Sequence, residues 1–592
     1  MDMKIKGFLL DRDFKWGGFL AIGWLTLVAA HAQEIAPPQE LTTPEAVAET
    51  PAQKPASRDD LTELEDMVVT GTRTEKRLSD VAVRTEVIKR EEIEMTASRT
   101  LVDACAYTPG IRVENKCQNC SFTEIRLLGM DGPYSMILVD GQPLLSAMAA
   151  VYGLEHIPAR LIERIEVIKG GGSALYGPGA VAGVINVITK LPTESGADME
   201  ATYADVDGTT ATSYGATADY VSTNGQSIIT GFAQVDEREA YDRNDDGYSD
   251  IGKRESSTVG VNGRQFIGDE ADVKVGYTHT EEDRRGGDRL SKPEYMANLA
   301  ESADTTRDAA SATWSHATSP SFDYRLTGAY AFTKRDTYYG GGMDPNAYGE
   351  SENPLAVVDS QFNHYLDEHT VSWGPQYTWE NIKDEQPGYN LSTDDTYDNV
   401  GTYLQDDWMI NDQWNLITGG RLDKNSELDN VIFSPRSAVK WSPDDEVAMR
   451  ASYARGFRAP QIFSEDLHIM MVGGTPSRIE NASGLEEETS DTFTLGTEWT
   501  PAMGDGFGLV EVTPFYTMFD GKFAETYVGN VGGTDVYERY NASDAHLYGT
   551  EFNLGYQVPQ LYEARLGWVL QRARFDEAEG DFGSKDFEYT PP

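Results

Sequence analysis

The last two-thirds of the chain, residues 194–592, alternates apolar and polar residues with a period of two. From Phe322 to Thr333 the even positions are Phe, Tyr, Leu, Gly, Tyr and Phe, and the odd positions are Asp, Arg, Thr, Ala, Ala and Thr. Such alternation over about ten residues predicts a β-strand with one apolar and one polar face. Similar segments continue through residues 194–592, with a strand pair about every 45 residues. The pattern therefore predicts a large antiparallel sheet of about 17 or 18 strands.

The connections between these strands are of two kinds. Asn224-Gly225 joins two alternating segments and predicts a type I′ hairpin turn, and Asn411-Asp412 joins another pair. Longer acidic segments separate other strands. Four tryptophans lie near predicted strand ends: Trp408, Trp414, Trp441 and Trp499. Short turns, long loops and aromatic residues at the strand ends are typical of a transmembrane β-barrel, so the apolar face is predicted to contact lipid.

Residues 72–193 have a different texture. Short apolar runs alternate with glycine turns in VAVRTEVIK, IRLLG, SMILVDGQP, RIEVIKGGG and AGVINVITK. Helical patterns at residues 98–107 and 158–163 lie between these runs. The segment is therefore predicted to be a small mixed α/β domain ahead of the barrel.

The first 63 residues predict export. Basic residues precede an apolar run at residues 19–30, and Ala30-His31-Ala32 fits the small-x-small cleavage rule, so residues 1–32 are predicted to be a signal peptide. The alternative, a single membrane anchor, needs about 20 apolar residues, more than this run offers. Residues 33–63 are rich in Pro, Ala, Glu and Thr and predict a disordered periplasmic linker.

The composition of the chain argues against two classes of protein. The chain has 49 basic and 97 acidic residues, a net charge of −48, which argues against a nucleic-acid partner. A mean hydropathy of −0.47 excludes a bundle of membrane helices but not a membrane barrel.

Lys169 precedes Gly170 to Gly172, whereas a phosphate loop needs the lysine after the glycines. Because no catalytic triad, zincin or nucleotide-binding motif is present either, we do not expect an enzyme.

The motifs themselves identify a resemblance. TPGIRV, IRLLGMDGP, ILVDGQP and IPARLIERIEVIKGGGSALYGPGAVAGVINVITK, within residues 108–190, resemble the plug domain of TonB-dependent outer-membrane receptors. In the barrel, YLQDDWMINDQWNLITGGRLD and MRASYARGFRAPQIFSEDLH resemble the same family. The resemblance implies a Gram-negative outer-membrane protein with a plug inside a 22-stranded barrel. It also implies import of a scarce metal-containing nutrient, namely a ferric siderophore, haem or cobalamin, driven by the proton gradient.

The resemblance assigns a partner and a contact segment for it. Residues 64–71 stand where the family has its TonB box, the segment that binds the TonB energising protein. The box residues are Asp66, Met67, Val68, Val69 and Thr70. The other partners implied are outer-membrane lipid and the small metal complex itself.

The strand count departs from the family pattern. The alternation predicts 17 or 18 strands in place of 22, and the chain ends in FEYTPP, which is not an amphipathic strand with a terminal aromatic residue. An open barrel would leave unpaired strand edges in lipid. We therefore expect the sequence to lack the last strands of its barrel. An outer-membrane adhesin without transport and a copper importer remain alternatives to a nutrient importer.

One acidic segment predicts a calcium-binding loop. Residues 242–250 read D-x-N-x-D-G-x-x-D, which matches the first nine positions of an EF-type loop, but position twelve is Lys253 in place of Glu. Two interpretations are compatible with this pattern, a loop that binds a structural calcium ion and a solvated acidic loop without a metal. The candidate ligands are Asp242, Asn244, Asp246, Tyr248 and Asp250.

Soft and aromatic side chains predict a ligand cavity. Thioether and imidazole groups suit Cu(I) or haem iron. His468 and Met470 follow Phe457-Arg458-Ala459-Pro460, which resembles the FRAP box of the family, and related haem receptors carry a histidine in this region. Plain packing is the alternative for every one of these side chains. The plug candidates, in segments predicted to face outward, are Met130, Asp131, Tyr134, Tyr152 and His156.

Cys117 and Cys120 form a CxxC pair. Three interpretations are compatible with this spacing: a local disulfide, a redox dithiol and half of a zinc site. The oxidising exported compartment favours the disulfide. Cys105, in a predicted helix, is expected to be a small core residue.

Overall fold

The computed structural model describes residues 67–68, 70–117, 121–462, 477–559, 561–579 and 583–587. All of them belong to one compact unit that begins at Leu64. The predicted signal peptide and linker lie outside the described residues.

The segment ahead of the barrel is a mixed α/β domain, as predicted; we call it the plug. Its strands are β1 Met67–Val68, β2 Lys76–Arg77, β3 Thr85–Lys89, β4 Ile111–Cys117, β5 Phe122–Leu127, β6 Ser135–Val139, β7 Ile162–Lys169 and β8 Gly183–Thr189. Its helices are α1 Arg90–Met95, α2 Leu101–Cys105, α3 Ala149–Tyr152 and α4 Ser173–Tyr176, with 3₁₀ turns at Leu78–Asp80, Gly132–Tyr134, Gly153–His156 and Ala159–Leu161. Among the described residues, no helix is long and apolar enough to cross a bilayer.

The plug is built around a four-stranded sheet. Its strand order is β3-β7-β8-β6, with β6 and β8 parallel and the other pairs antiparallel. β4 and β5 form a separate hairpin. The core of the domain is aliphatic and includes Ile165, Ile185 and Cys105, which is buried as expected. Burial raises the pKa of the Cys105 thiol to about 12.

The barrel is a closed sheet of nineteen strands in the part of the chain that the structure describes. Two of them, β24 Ala502–Met503 and β30 Ser584–Asp586, are very short. The seventeen long strands match the predicted number. They are β9 Gly196–Val206, β10 Thr209–Val221, β11 Ser227–Arg238, β12 Lys253–Ile267, β13 Ala271–Gly287, β14 Leu299–Ser319, β15 Phe322–Gly341, β16 Tyr348–Leu366, β17 His369–Gln386, β18 Leu391–Asn411, β19 Trp414–Asn425, β20 Ile432–Trp441, β21 Val447–Arg458, β23 Glu488–Trp499, β25 Gly506–Asp520, β28 Ala545–Val558 and β29 Tyr562–Glu579.

The predicted alternation sorts side chains between lipid and lumen. In β15 the side chains of Leu326 and Tyr330 are exposed on the outer face, while Thr327 and Ala331 are buried inside. Tryptophans lie next to the short turns: Trp414 stacks on Trp441, with ring centroids 5.7 Å apart. The outer face is thus an apolar surface with aromatic residues near the turns, as a membrane barrel requires.

Two details of the connections differ from the sequence prediction. The hairpin at Asn224-Gly225 is present, but only Gly225 has a positive φ, so the turn is not type I′. β10 and β11 are instead joined by the five residues 222–226.

Two long connections also contain an unpredicted sheet, in which β22 Ser477–Asn481 lies parallel to β27 Thr534–Asn541, and β26 Phe523–Val531 completes it. Short 3₁₀ turns at Glu294–Met296 and Pro387–Tyr389 lie in two other connections.

Candidate functional site: the interface between plug and barrel

Thr70, the last residue of the predicted TonB box, is held inside the plug. Its backbone N–H and its hydroxyl donate to Glu166 Oε2, at 2.8 and 2.6 Å. The Tyr176 hydroxyl donates to the Thr70 carbonyl at 2.9 Å, and Asn186 Nδ2 donates to the Thr70 hydroxyl at 2.9 Å. All four residues are buried. Every polar group of Thr70 therefore has a partner in the plug.

The chain that follows Thr70 runs along the barrel wall. Residues 71–73 expose their carbonyl oxygens to lumenal side chains of β16, β18 and β20. Each of these side chains donates one hydrogen bond: Arg436 to Gly71, Gln405 to Thr72 and Gln361 to Arg73.

Two ion pairs add to these hydrogen bonds. Arg73 Nη2 lies 2.7 Å from Asp359 Oδ1, and both side chains are almost fully buried. The guanidinium also stacks on Tyr403, 4.7 Å from the ring centroid. Burial would lower the pKa of Arg73, but Asp359 outweighs it and raises that pKa. Lys76 Nζ lies 2.5 Å from Asp407 Oδ2. We call residues 70–76 the strap, because they join the predicted box to both plug and wall.

A second group of charges links the plug to the far strands of the barrel. Glu551 on β28 accepts from Lys169 at 2.8 Å and pairs with Arg84 Nη1 at 2.8 Å. Arg84 also reaches Glu511 on β25 at 3.0 Å. Two plug cations thus meet two wall anions, and the plug is ionically tied to this side as well.

The apex near α3 carries two predicted ligand residues, Tyr152 and His156. Both are buried. The guanidinium of Arg284 lies 4.4 Å from the Tyr152 ring centroid and that of Arg335 4.7 Å from it. His156 Nε2 lies 3.4 Å from Glu282 Oε2 on the wall. Burial lowers the pKa of His156, and Glu282 offsets this only in part, so the ring is neutral at pH 7.

Glu155 completes this apex network. It forms ion pairs with Arg284 and Arg254 of the wall. Burial alone would raise the pKa of Glu155, but the two guanidinium groups outweigh it and lower the pKa to about 2. The carboxylate is therefore ionised at every physiological pH.

The remaining plug candidates lie at a second apex. Met130 and Tyr134 are buried, and Tyr134 donates to Glu488 at 2.9 Å while accepting from Lys522 at 3.0 Å. Burial raises the pKa of Tyr134 to about 12. Asp131 is partly exposed and pairs with Arg126 at 2.8 Å. The structure thus places four of the five plug candidates against protein atoms, so a ligand would reach them only after side chains move. Their ligand-binding role stays a prediction.

The predicted calcium loop folds into successive turns closed by its own acidic side chains. Asp242 accepts from the Gly247 N–H at 2.8 Å, and Asp246 accepts from the Tyr248 N–H at 2.9 Å. Asn244 accepts from the Asp246 N–H, and Asp250 accepts from the Arg243 N–H at 2.7 Å. Across the described ranges, no three His, Cys, Asp or Glu side chains are gathered as metal ligands. Calcium binding therefore stays a prediction.

Several predicted site residues lie outside the described residues. They are Asp66, Val69, Cys120, His468 and Met470, together with the side chains of Met67, Val68 and Cys117. The backbone of Met67 and Val68 pairs with Arg77 and Lys76 as β1 and β2.

The strap was not predicted from the sequence. Arg73 follows the predicted box by three residues, but its partner Asp359 is 286 residues away on a strand whose pattern only marks it as lumenal. No local signal joins two such residues. The available hint was the concentration of Thr and Arg in GTRTEK, residues 71–76, directly after the box.

The chain matches two family models. The model described as TonB-dependent Receptor Plug Domain matches residues 77–184. The model described as TonB dependent receptor-like, beta-barrel matches residues 240–592, more than half of the chain.

Curated relatives and solved structures agree with these models. The chain is 25% identical over 550 residues to the iron-regulated outer membrane virulence protein of Vibrio cholerae serotype O1, covering 89% of this chain and 80% of that protein. It is 28% identical to the vitamin B12 transporter BtuB of Vibrio vulnificus, over 67% of this chain and 63% of the transporter. The fold resembles the siderophore receptor PirA from Pseudomonas aeruginosa, with a TM-score of 0.65 at 19% identity, covering 83% of this chain and 87% of PirA.

Calcium binding can be tested on the purified full-length chain with calcium alone as the probe. We expect Asp246→Ala to weaken calcium binding about tenfold or more, because it removes a central carboxylate from the loop. Isothermal titration calorimetry measures the change. Asp269→Ala, at an exposed turn between β12 and β13, is the control and should bind calcium like the parent. Equal binding by both variants, or none by the parent, would rule out the site.

The Arg73–Asp359 pair predicts how firmly the strap is held. Arg73→Ala leaves Asp359 buried without its cation, so the opening free energy of residues 70–76 should fall by about 3–5 kcal/mol. Hydrogen exchange of the strap amides measures it. Arg99→Ala, which removes the half-exposed Arg99–Asp103 pair, should change plug opening by less than about 1 kcal/mol. Equal effects of the two variants would contradict a special role for the strap.

Proposed function

Since the chain belongs to the TonB-dependent receptor family, we propose that it imports a small metal complex across the outer membrane by force applied at residues 66–70. As a member it is an outer-membrane β-barrel protein with a plug. The observation that carries the coupling proposal is the strap: the chain leaving the proposed box is buried and bonded to both plug and wall.

The backbone of the proposed box suits capture by an extended partner. β1 holds Met67 and Val68 through only two residue pairs with β2. A ladder this short is marginal by itself, so exchanging it for a strand of the energising protein costs little. Such β-augmentation takes its affinity from main-chain hydrogen bonds. The partner would therefore pair with the backbone of the box in place of β2.

Force on the box would reach the strap first. Thr70, the last residue of the proposed box, has a full set of plug partners, and the wall contacts of residues 71–76 follow in chain order. A directed pull can then break these contacts one after another, where heat would have to break them together. The plug would be remodelled from its N-terminal end, with β3-β7-β8-β6 still in place.

Two classes of ligand are supported by different relatives. An iron complex, and a ferric siderophore first among them, is supported by the iron-regulated Vibrio cholerae relative, which covers 89% of this chain. Cobalamin is the second candidate, supported by the BtuB relative over 67% of this chain. Haem remains within the iron class. The buried cations and aromatic rings at both plug apices would contact such a complex after local rearrangement.

Energy coupling predicts a separation of binding from uptake. Val68→Pro removes a pairing N–H from the box, so uptake should fall to the level of a strain without the receptor while ligand binding at the cell surface persists. Ferric enterobactin labelled with ⁵⁵Fe serves as the probe for both measurements. Val68→Ala keeps the N–H and is the control. Uptake that survives in the proline variant would show that the box is assigned wrongly.

The ligand class can be tested by growth and uptake. In an iron-limited strain without its own siderophore receptors, we expect expression of this chain to restore uptake of ferric enterobactin. Haemin and cyanocobalamin are supplied in parallel. Uptake of cyanocobalamin alone would favour the second candidate, and uptake of none of the three would contradict the importer proposed here.

A further inference from the structure

The second apex of the plug is covered by a lysine from the barrel. Lys522 lies at the start of the long connection between β25 and β28, and its side chain reaches Tyr134 of the plug. The ammonium Nζ donates to the Tyr134 hydroxyl at 3.0 Å. It also lies 4.8 Å from the ring centroids of Tyr134 and Phe587 and 5.7 Å from that of Phe575. These three rings surround the ammonium, and we call them the Lys522 cage.

The cage holds the ammonium without an ion pair. Among the described residues, no carboxylate lies within ion-pair distance of Lys522 Nζ, and the Tyr134 hydroxyl is its one hydrogen-bond partner. Burial would lower the pKa of Lys522, but the Tyr134 oxygen and the nearby Glu488 carboxylate outweigh it and raise that pKa, so the ammonium is charged at neutral pH. Arg73, in contrast, is paired directly with Asp359. A cation held by rings and one neutral hydrogen bond is easier to displace than one paired with a buried carboxylate.

A second cation lies over the same tyrosine, but its backbone is fixed in the barrel. The guanidinium of Arg458, the last residue of β21, lies 4.7 Å from the Tyr134 ring centroid. Arg458 is paired with Glu488 across β21 and β23, so only its side chain can move. Lys522 lies outside the barrel sheet, in a connection whose backbone can move as well. Of the two cations, Lys522 is therefore the one that can leave Tyr134 more readily.

The cage covers two residues that were predicted to bind the ligand. Met130 and Tyr134 are each only 3% exposed. Phe519 packs edge to face against Tyr134, with ring centroids 6.4 Å apart, and Phe575 and Phe587 pack against the same core. A ligand can therefore contact Tyr134 only after one of the groups around it has moved, and Lys522 is the group held least firmly.

An anionic ligand supplies what the cage lacks. Carboxylate or phenolate oxygens accept charge-assisted hydrogen bonds from an ammonium, and these are stronger than the bond to a neutral hydroxyl. Glu488 is already engaged, since its Oε2 accepts from the Tyr134 hydroxyl at 2.9 Å and from the Phe523 N–H at 3.2 Å. Tyr134 therefore keeps a partner when Lys522 leaves. A cationic ligand would be repelled by Lys522 and Arg458, and an uncharged one offers the ammonium nothing stronger than Tyr134 does.

We propose that Lys522 selects anionic ligands at the second apex: its ammonium covers Tyr134 in the ligand-free protein and leaves the cage for the oxygens of an anionic metal complex. The proposal rests on the importer function proposed above and adds the charge of the ligand to it. Lys522 determines specificity because an uncharged complex cannot make this exchange. The same step removes a contact between the long connection and the plug.

The covering role can be tested on the purified full-length chain without a ligand. Lys522→Gln should speed hydrogen exchange of the plug amides at residues 130–139 by about fivefold or more, because it removes the cation from the cage. Lys522→Arg keeps a cation and should stay within about twofold of the parent. Lys383→Gln is the matched control, since Lys383 is half-exposed on the wall, where it pairs with Glu385 at 3.0 Å. Exchange that is unchanged in Lys522→Gln, or equally raised in the control, would overturn the proposal.

The selection itself is measured as a ratio of two affinities. Ferric enterobactin, which is anionic, and ferrichrome, which is uncharged, are titrated calorimetrically against the parent and the same variants. We expect Lys522→Gln to bind ferric enterobactin about tenfold or more weakly without weakening ferrichrome, and Lys522→Arg to restore the preference.

Three results would contradict the selection. Equal losses for both complexes would make Lys522 a structural residue, and a parent that prefers ferrichrome or cyanocobalamin does not select anions. A parent that binds none of the three complexes would overturn both this proposal and the importer function. Binding of ferric enterobactin with the expected ratio but without uptake contradicts the importer function alone, so the two failures are distinguishable.

Discussion

The structure depends on one constraint, the pairing of every backbone N–H and C=O group that faces hydrocarbon. A sheet meets this constraint in lipid only when it closes on itself. Closure turns one face of each strand outward, which demands apolar residues at alternate positions, and turns the other face into a lumen. The low mean hydropathy and the net charge of −48 are compatible with a membrane protein for this reason, since half of each strand never contacts lipid.

A lumen lined with polar and charged groups in turn determines what can fill it. The plug is held by partners that lie far apart in the chain, such as Arg73 with Asp359 and Lys169 with Glu551. Buried ion pairs of this kind add little net stability compared with apolar packing, but losing one partner is costly. They therefore specify the position of the plug more than they strengthen it. A plug positioned by discrete bonds can be released in steps, which a continuous apolar contact would not allow.

The sequence was informative where structure follows a local period. The alternation from Phe322 onward predicts β15 and its two faces, and the glycine-separated runs of the plug predict β3, β5, β6, β7 and β8. It was uninformative where two distant segments meet. Nothing local pairs Thr70 with Glu166 across 96 residues, or sets Gly171 against Ala454. The prediction of a type I′ turn at Asn224-Gly225 was wrong, because the preference of a dipeptide in two-residue turns was applied to a five-residue connection.

Ion pairs and close backbone packing both hold the plug against the wall, and each serves a different part of the plug's task. A plug must seal the lumen against leakage, yet open for its cargo. The plug is fixed in place by ion pairs on several sides of the barrel, namely Arg73–Asp359, Arg284–Glu155 and Lys169–Glu551. Sealing between these pairs depends on close approach, which is why Gly171, with no side chain to separate the surfaces, is the residue that meets Ala454.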